Sequence, residues 1–351
     1  MHFRFKSLLI GTLGIFLMLS TSCNSAHEVE KEFNITETIM EHVQDSYGWH
    51  LWGHTTIPLP VILYTDKGLE VFSSANLIDE HHEHIVYKGK NDYKVNHESG
   101  KIDIVNTDGA ANESATLYDF SITKNVATLL LAVFIICVVF ITMAKRYAKR
   151  GITSAPKGIQ SLLEPFVLFV RDDIAKPNIG VHYAKYMPFL LSIFFFVWIN
   201  NMLGLVPFFP GGANLSGNIA FTMVLALIVF LVVNFSSNKN YWQHIFWMPG
   251  VPWPMKLFLA PIELMGVFIK PISLMIRLFA NITAGHILVL ALICLIFVFK
   301  AVVAAAVAVP FAAFIYCIEL LVAFLQAFIF TMLTALYIGM ATEEHHAEAH
   351  H

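Results

Sequence analysis

Hydrophobic positions along this 351-residue chain gather into long blocks separated by short polar stretches. The first block, LLIGTLGIFLML, follows the basic start MHFRFK and has the length of a signal-peptide core, too short to cross a bilayer. It runs into STSC, so residues 1–23 read as a signal segment. Processing then ends either in lipidation of Cys23 or in ordinary cleavage near Ala26. Residues 24–120 are mostly polar; within them VILYTDKGLEVF reads as two short strands around an Asp-Lys-Gly turn, in a small, loosely folded extracytoplasmic piece.

Residues 121–351 read as a membrane domain of five crossings. The first runs from about Val126 to Met143, and the basic KRYAKR after it belongs on the cytoplasmic side. In GIQSLLEPFVLFVRDDIA, the apolar positions Ile159, Leu162, Leu163, Phe166, Val167, Val170 and Ile174 share one helical face. Glu164, Arg171 and Asp172 fall off that face, which predicts an amphipathic helix lying on the membrane surface or under its neighbours. Further crossings are predicted at about Pro188 to Val206 and Ile219 to Asn234, joined by the breaker-rich PFFPGGANLSGN. The next connection carries Trp242, Trp247 and Trp253, as an interfacial aromatic belt would. Two last segments, about Leu257 to Phe299 and Val302 to Met340, exceed the ~20 residues a crossing needs, so they must tilt, bend or protrude as an antiparallel pair. The fold class is therefore an all-α integral membrane protein with a small amino-terminal segment that includes a β-hairpin. After signal removal its amino end is outside and its carboxyl end inside.

Composition agrees: 57% of residues are hydrophobic and 13% charged, too little charge to coat a soluble globule of this size. Net charge is −3, and no basic block or aromatic-and-basic interleaving suggests a nucleic-acid groove, so nucleic acid is not an expected partner. Cys23, Cys137, Cys294 and Cys317 lack metal-ligand spacing, and no G-x-x-x-x-G-K-[ST] loop is present for a nucleotide. His81, His82 and His84 raise a metal site, but no second ligand cluster supports it, and a solvated loop is the better reading. No cofactor is implied.

The outlier is Arg277, because an arginine at the centre of a membrane helix costs roughly 2.5 to 3.5 kcal/mol. Glu263, Lys270 and Arg277 repeat every seven residues and drift only about 20° per step, with Ser273 and Asn281 widening the same stripe. His286 lies about 13.5 Å beyond Arg277 and about 180° around the helix. On the last helix Glu319 and Gln326 share a face. Antiparallel pairing then lets Glu319 approach His286, while Gln326 sits nearer the level of Arg277. Asn281 or Gln326 alone would read as helix-packing glue. The set, with Arg, His and Glu in two adjacent spans, reads as an ion path. A carboxyl and an imidazole can pass protons, whereas the guanidinium stays charged and acts electrostatically.

From PISLMIRLFANITAGH and LQAFIF, with NNMLGLVP and the closing MATEEH, the chain from about residue 118 onward resembles subunit a of the F-type ATP synthase. The resemblance implies a non-catalytic stator in a bacterial inner membrane. Its partners would be the c-subunit ring, peripheral-stalk b subunits, other synthase subunits and membrane lipid. It implies two offset half-channels separated by Arg277, with Gln326 and Asn281 near it and Glu263 in the inner half-channel. The chain departs from familiar members in exchanging residue types at His286 and Glu319; a hydrogen-bonded pair survives such an exchange. The rivals are an independent ion transporter, which would show internal repeats that are absent here, and a structural anchor, which would tolerate an apolar residue in place of Arg277.

Overall fold

A computed structural model describes residues 44–52, 55–78, 85–96, 100–106, 112, 116–150, 158–206, 212–248, 250–299 and 302–342. The signal segment, Cys23 and the histidines at 81, 82 and 84 lie outside the described residues. Among the described residues eight strands come ahead of the helices: β1 (Gly48–Trp52), β2 (Thr55–Pro58), β3 (Pro60–Thr65), β4 (Gly68–Ser73), β5 (Tyr87–Lys88), β6 (Asp92–Val95), β7 (Ile102–Val105) and β8 (Leu117–Asp119). They form three small antiparallel sheets, ordered β1-β2, β4-β3-β8 and β5-β6-β7. β3 and β4 pair from Pro60↔Ser73 to Thr65↔Gly68, leaving Asp66 and Lys67 as the turn; Gly68 takes the positive φ of 99°. Val61 and Leu63 point into a core with Tyr47, Phe72, Leu77 and Tyr93. This unit is more built than the loose piece with two strands expected, and the all-α description applies only from Lys124 onward. Its other strands are two to five residues long apart from the hairpin, and the alternation in β6, where Tyr93 and Val95 are buried, covers only four residues.

The helical part begins with α1 (Lys124–Arg150), which extends past the apolar run into the basic flank. Next come α2 (Ile159–Phe169), a π-helical turn Val170–Ala175, α3 (Lys176–Ile179) and α4 (Tyr183–Leu205). A short 3-10 turn, Leu215–Gly217, leads into α5 (Ile219–Ser236), followed by α6 (Lys239–Phe246), α7 (Trp253–Phe299) and α8 (Val302–Thr342). Among the described residues five helical segments are long and apolar enough to cross a membrane, and α7 packs on α8. Large apolar side chains stand exposed on α1, α5, α7 and α8, such as Phe134, Leu227, Ile269 and Leu321, as a bilayer solvent requires. The amphipathic stripe is divided: Val170 and Ile174 are fully buried and Phe166 packs on Trp198 and Phe324, whereas Ile159 and Leu162 are exposed.

Lipid tails give apolar helices no hydrophobic reason to associate, so close packing must hold the bundle. α8 supplies it with Ala323, Ala327, Thr331, Ala335 and Gly339, small residues every four positions. The first four are completely buried, and Thr331 donates its hydroxyl hydrogen to the Ala327 carbonyl at 2.8 Å, so no polar group is orphaned there. α8 uses this side against α3, α4 and the π-helical turn. At Gly339 a β-carbon would overlap the Asn178 carbonyl oxygen, so the backbone at the end of α3 is seated directly on α8. Replacing Gly339→Val should destabilise this contact by about 1–3 kcal/mol or more. The expected outcome is loss of the chain from detergent-extracted complexes on a native gel, while Gly266→Val, a change into open space, leaves it in place.

Candidate functional site

Two polar clusters lie on either side of Arg277 along α7. The first, toward the β-sheets, is built where α4, the Leu215–Gly217 turn, α7 and α8 meet. Nε2 of His286 stands 3.8 Å from Oε1 of Glu319, and neither atom has a hydrogen-bond partner among the described residues. That separation is too long for a direct hydrogen bond and suits one bridging water. A glycine makes the room: a β-carbon at Gly285 would sit 2.7 Å from Oε1 of Glu319, whereas one at Gly204 would meet Nε2 of His286 only at ordinary contact distance, 4.0 Å. Around the pair, Ser216 donates its hydroxyl hydrogen to Oδ1 of Asn201 at 2.5 Å, and Asn201 donates from Nδ2 to the Ala323 carbonyl at 3.2 Å. The Tyr316 hydroxyl donates to the Leu205 carbonyl, tying α8 to the end of α4. The pair is thus held by three helices and a turn.

The second cluster sits at the other end of the bundle, near the carboxyl terminus of α8. A cavity of about 250 Å³ is lined by Tyr241, His244, Glu263, Lys270 and Met340. A smaller one of about 20 Å³, room for one water, shares Tyr241 and Lys270 and adds Asn234 and Tyr337. The ammonium of Lys270 lies 5.5 Å from the Tyr337 ring centroid, within cation–π range. Burial, and then the negative charge of Glu263, push the Tyr241 hydroxyl pKa above its ordinary value. Asn238 positions the short helix α6 here: its backbone N–H donates to the Ala341 carbonyl at 2.9 Å and its side chain to the Thr342 carbonyl at 3.1 Å. These bonds satisfy carbonyls that the end of α8 would otherwise leave unpaired.

Arg277 lies between the two, about 10.5 Å along the helix from Lys270 and about 13.5 Å from His286. It is half-buried and within electrostatic reach of Tyr337, and none of the ion pairs among the described residues involves it. Gln326 is buried on α8, Ser273 is half-buried and Asn281 is exposed. The structure therefore joins Glu263 to Lys270 and His286 to Glu319, and leaves Arg277 without a carboxylate among the described residues. Sequence reasoning singled out none of Asn201, Ser216, Tyr316, Tyr241 and His244, which reach their clusters only through tertiary packing.

Residues 126–339 match the family described as ATP synthase A chain. An ATP synthase subunit a 2 from Chlorobaculum tepidum is 44% identical over 239 residues, 66% of this chain and 66% of the relative. One from Prosthecochloris aestuarii is 45% identical over 242 residues, 67% of this chain and 73% of the relative. An ATP synthase subunit a from Chloroherpeton thalassium is 45% identical over 240 residues, covering 66% and 71%.

The chain belongs to the ATP synthase A chain family. The alignments span about two thirds of the length of these relatives. The family match takes in both clusters and Arg277 and stops short of the β-sheets. Residues 38–120 match a different description, a domain of unknown function (DUF8433).

If His286 and Glu319 act together, their effects must be coupled. In a double-mutant cycle of His286→Ala and Glu319→Ala, read as proton pumping by the assembled complex, the double variant should lose little more than the worse single variant. Strictly additive losses would separate them.

Proposed function

We propose that the chain is the proton-conducting stator of an F-type ATP synthase, coupling proton flow past Arg277 to rotation of a c-subunit ring. The observation that carries this reading is the half-buried Arg277, without a carboxylate among the described residues and placed between two separate polar clusters. A guanidinium keeps its charge at any physiological pH, so in a bilayer it needs an anion from elsewhere. A carboxylate on each ring subunit supplies one, and it can bind only while deprotonated.

On this reading the His286–Glu319 cluster is the outer half-channel and the Glu263–Lys270 cluster the inner one. A proton arriving through His286 and Glu319 neutralises a ring carboxylate, which then moves into lipid. After rotation the carboxylate releases its proton toward Glu263, and Arg277 holds the emptied group until it advances. Gln326, Asn281 and Ser273 line this transfer region. The signal segment 1–23 is removed, with Cys23 as a candidate lipid anchor, and residues 24–120 lie outside the cell membrane. The domain from 121 to 351 sits in a bacterial inner membrane with its carboxyl end in the cytoplasm, beside peripheral-stalk b subunits. ATP itself is made on other subunits.

The test is ATP-driven proton pumping in inverted membrane vesicles carrying Arg277→Ala, with assembly checked in the same preparation. Pumping should fall to background with assembly intact. Normal pumping would make the arginine a packing residue and remove the basis of the reading.

A further inference from the structure

An antiparallel sheet that packs one face on a core ordinarily turns a polar face to water. The sheet β4-β3-β8 does not. Its inner face gives Val61, Leu63 and Phe72 to the core. On the outer face the register sets Ile62 opposite Val71, and Tyr64 opposite both Leu69 and Tyr118. The Phe120 N–H donates to the Ile62 carbonyl at 2.9 Å, which carries the pairing beyond the end of β8. Five of these six side chains, all but Ile62, are between 50% and 66% exposed. Pro60 opposite Ser73 completes the face, so it holds no charged side chain. The nearby Asp119 belongs to the inner side, where it accepts from the Tyr47 hydroxyl.

An exposed apolar face of this kind marks a contact, and the chain fixes which apolar phase lies nearest. Phe120 precedes Lys124, the first residue of α1, by four positions, at most about 14 Å of extended chain. That link has no slack. The Ile62 N–H donates to the Ser121 hydroxyl at 3.0 Å, the Ile122 N–H to the Pro60 carbonyl at 3.1 Å and the Lys124 N–H to the Ser46 carbonyl at 2.9 Å. The sheet is therefore pinned to the end of a membrane-length helix whose exposed side chains, such as Val126, Leu130 and Phe134, are also apolar. Tyrosine among apolar side chains suits the membrane–water boundary, where the ring is buried and the hydroxyl stays wet. A second protein is the rival occupant. Three strands about 4.8 Å apart and about five residues long present only about 250 Å². A stable contact between separate proteins takes roughly 800 Å² from each. A face tethered to the bilayer through α1 needs no such area, because the tether keeps it at high local concentration.

We propose that the outer face of β4-β3-β8 docks on the leaflet that α1 enters, with Tyr64, Tyr118 and Phe120 at the boundary between headgroups and acyl chains. The ligand is the lipid surface itself. Docking gives α1 a second anchor beside its packing on α4, and interfacial aromatic anchors help set the tilt and rotation of a crossing helix. The proposal needs α1 to cross a bilayer and is independent of what Arg277 does.

The test places a single cysteine, Val71→Cys or Tyr118→Cys, in a complex whose native cysteines have been replaced. A nitroxide is attached, and the assembled complex is reconstituted in phospholipid vesicles. Collision of the nitroxide with oxygen, which concentrates in lipid, is compared with its collision with a neutral nickel chelate, which stays in water. The oxygen rate should exceed the nickel rate severalfold at both positions, one on each flanking strand. A nickel rate equal or higher at either position overturns the proposal and leaves the face in water. A nitroxide that neither reagent reaches also overturns it, and makes the face an interface with another protein. Should one variant fail to assemble, Leu69→Cys replaces Val71→Cys, or Phe120→Cys replaces Tyr118→Cys, and the same comparison decides.

Discussion

A guanidinium in a bilayer cannot shed its charge, and that constraint governs the arrangement of this chain. At a helix centre it costs roughly 2.5 to 3.5 kcal/mol. The described residues offer Arg277 no carboxylate to offset this. The two nearest acids on the path are instead committed elsewhere, Glu263 to the cavity with Lys270 and Glu319 to His286. A fixed cation with an open coordination sphere is a place for a mobile anion. It is also a barrier to a bare proton, since like charges repel most strongly where the dielectric is low.

Packing makes this electrostatic arrangement possible. Small residues on α8 let it come close to its neighbours, and Gly285 leaves the volume that a β-carbon would take from the Glu319 carboxyl beside His286. Rigid surroundings matter here because the 3.8 Å separation of the pair is set by the packing around it. At the opposite end Asn238 ties α6, and with it the cavity wall, to the last carbonyls of α8. Each cluster thus depends on α8 keeping its depth and rotation.

Much of this was legible in the sequence. Long apolar blocks announced the crossings, and Arg277, His286 and Glu319 stood out because charge inside such blocks is expensive. The seven-residue spacing of Glu263 and Lys270 placed them on one face, and both line one cavity. Other parts were hidden for physical reasons. Tyr241 and His244 lie on an eight-residue helix whose pattern reads as an interfacial belt, and only the cap by Asn238 directs it at Glu263. Asn201 and Ser216 look like ordinary loop-end polar residues until the turn folds back on α4. The stripe from Ile159 to Ile174 was periodic, yet its first two apolar positions face outward while Gln160 between them is buried, so the first turn is rotated from the expected face. Strands as short as Tyr87–Lys88 carry no periodicity at all.

The central claim is that Arg277 blocks direct passage between the two clusters. Passive proton flux through the reconstituted membrane sector, driven by a potassium diffusion potential with the ring cross-linked against rotation, measures that blockade. The account predicts no flux above background with Arg277 present and a clear leak with Arg277→Ala. Equal flux with and without the arginine would contradict it.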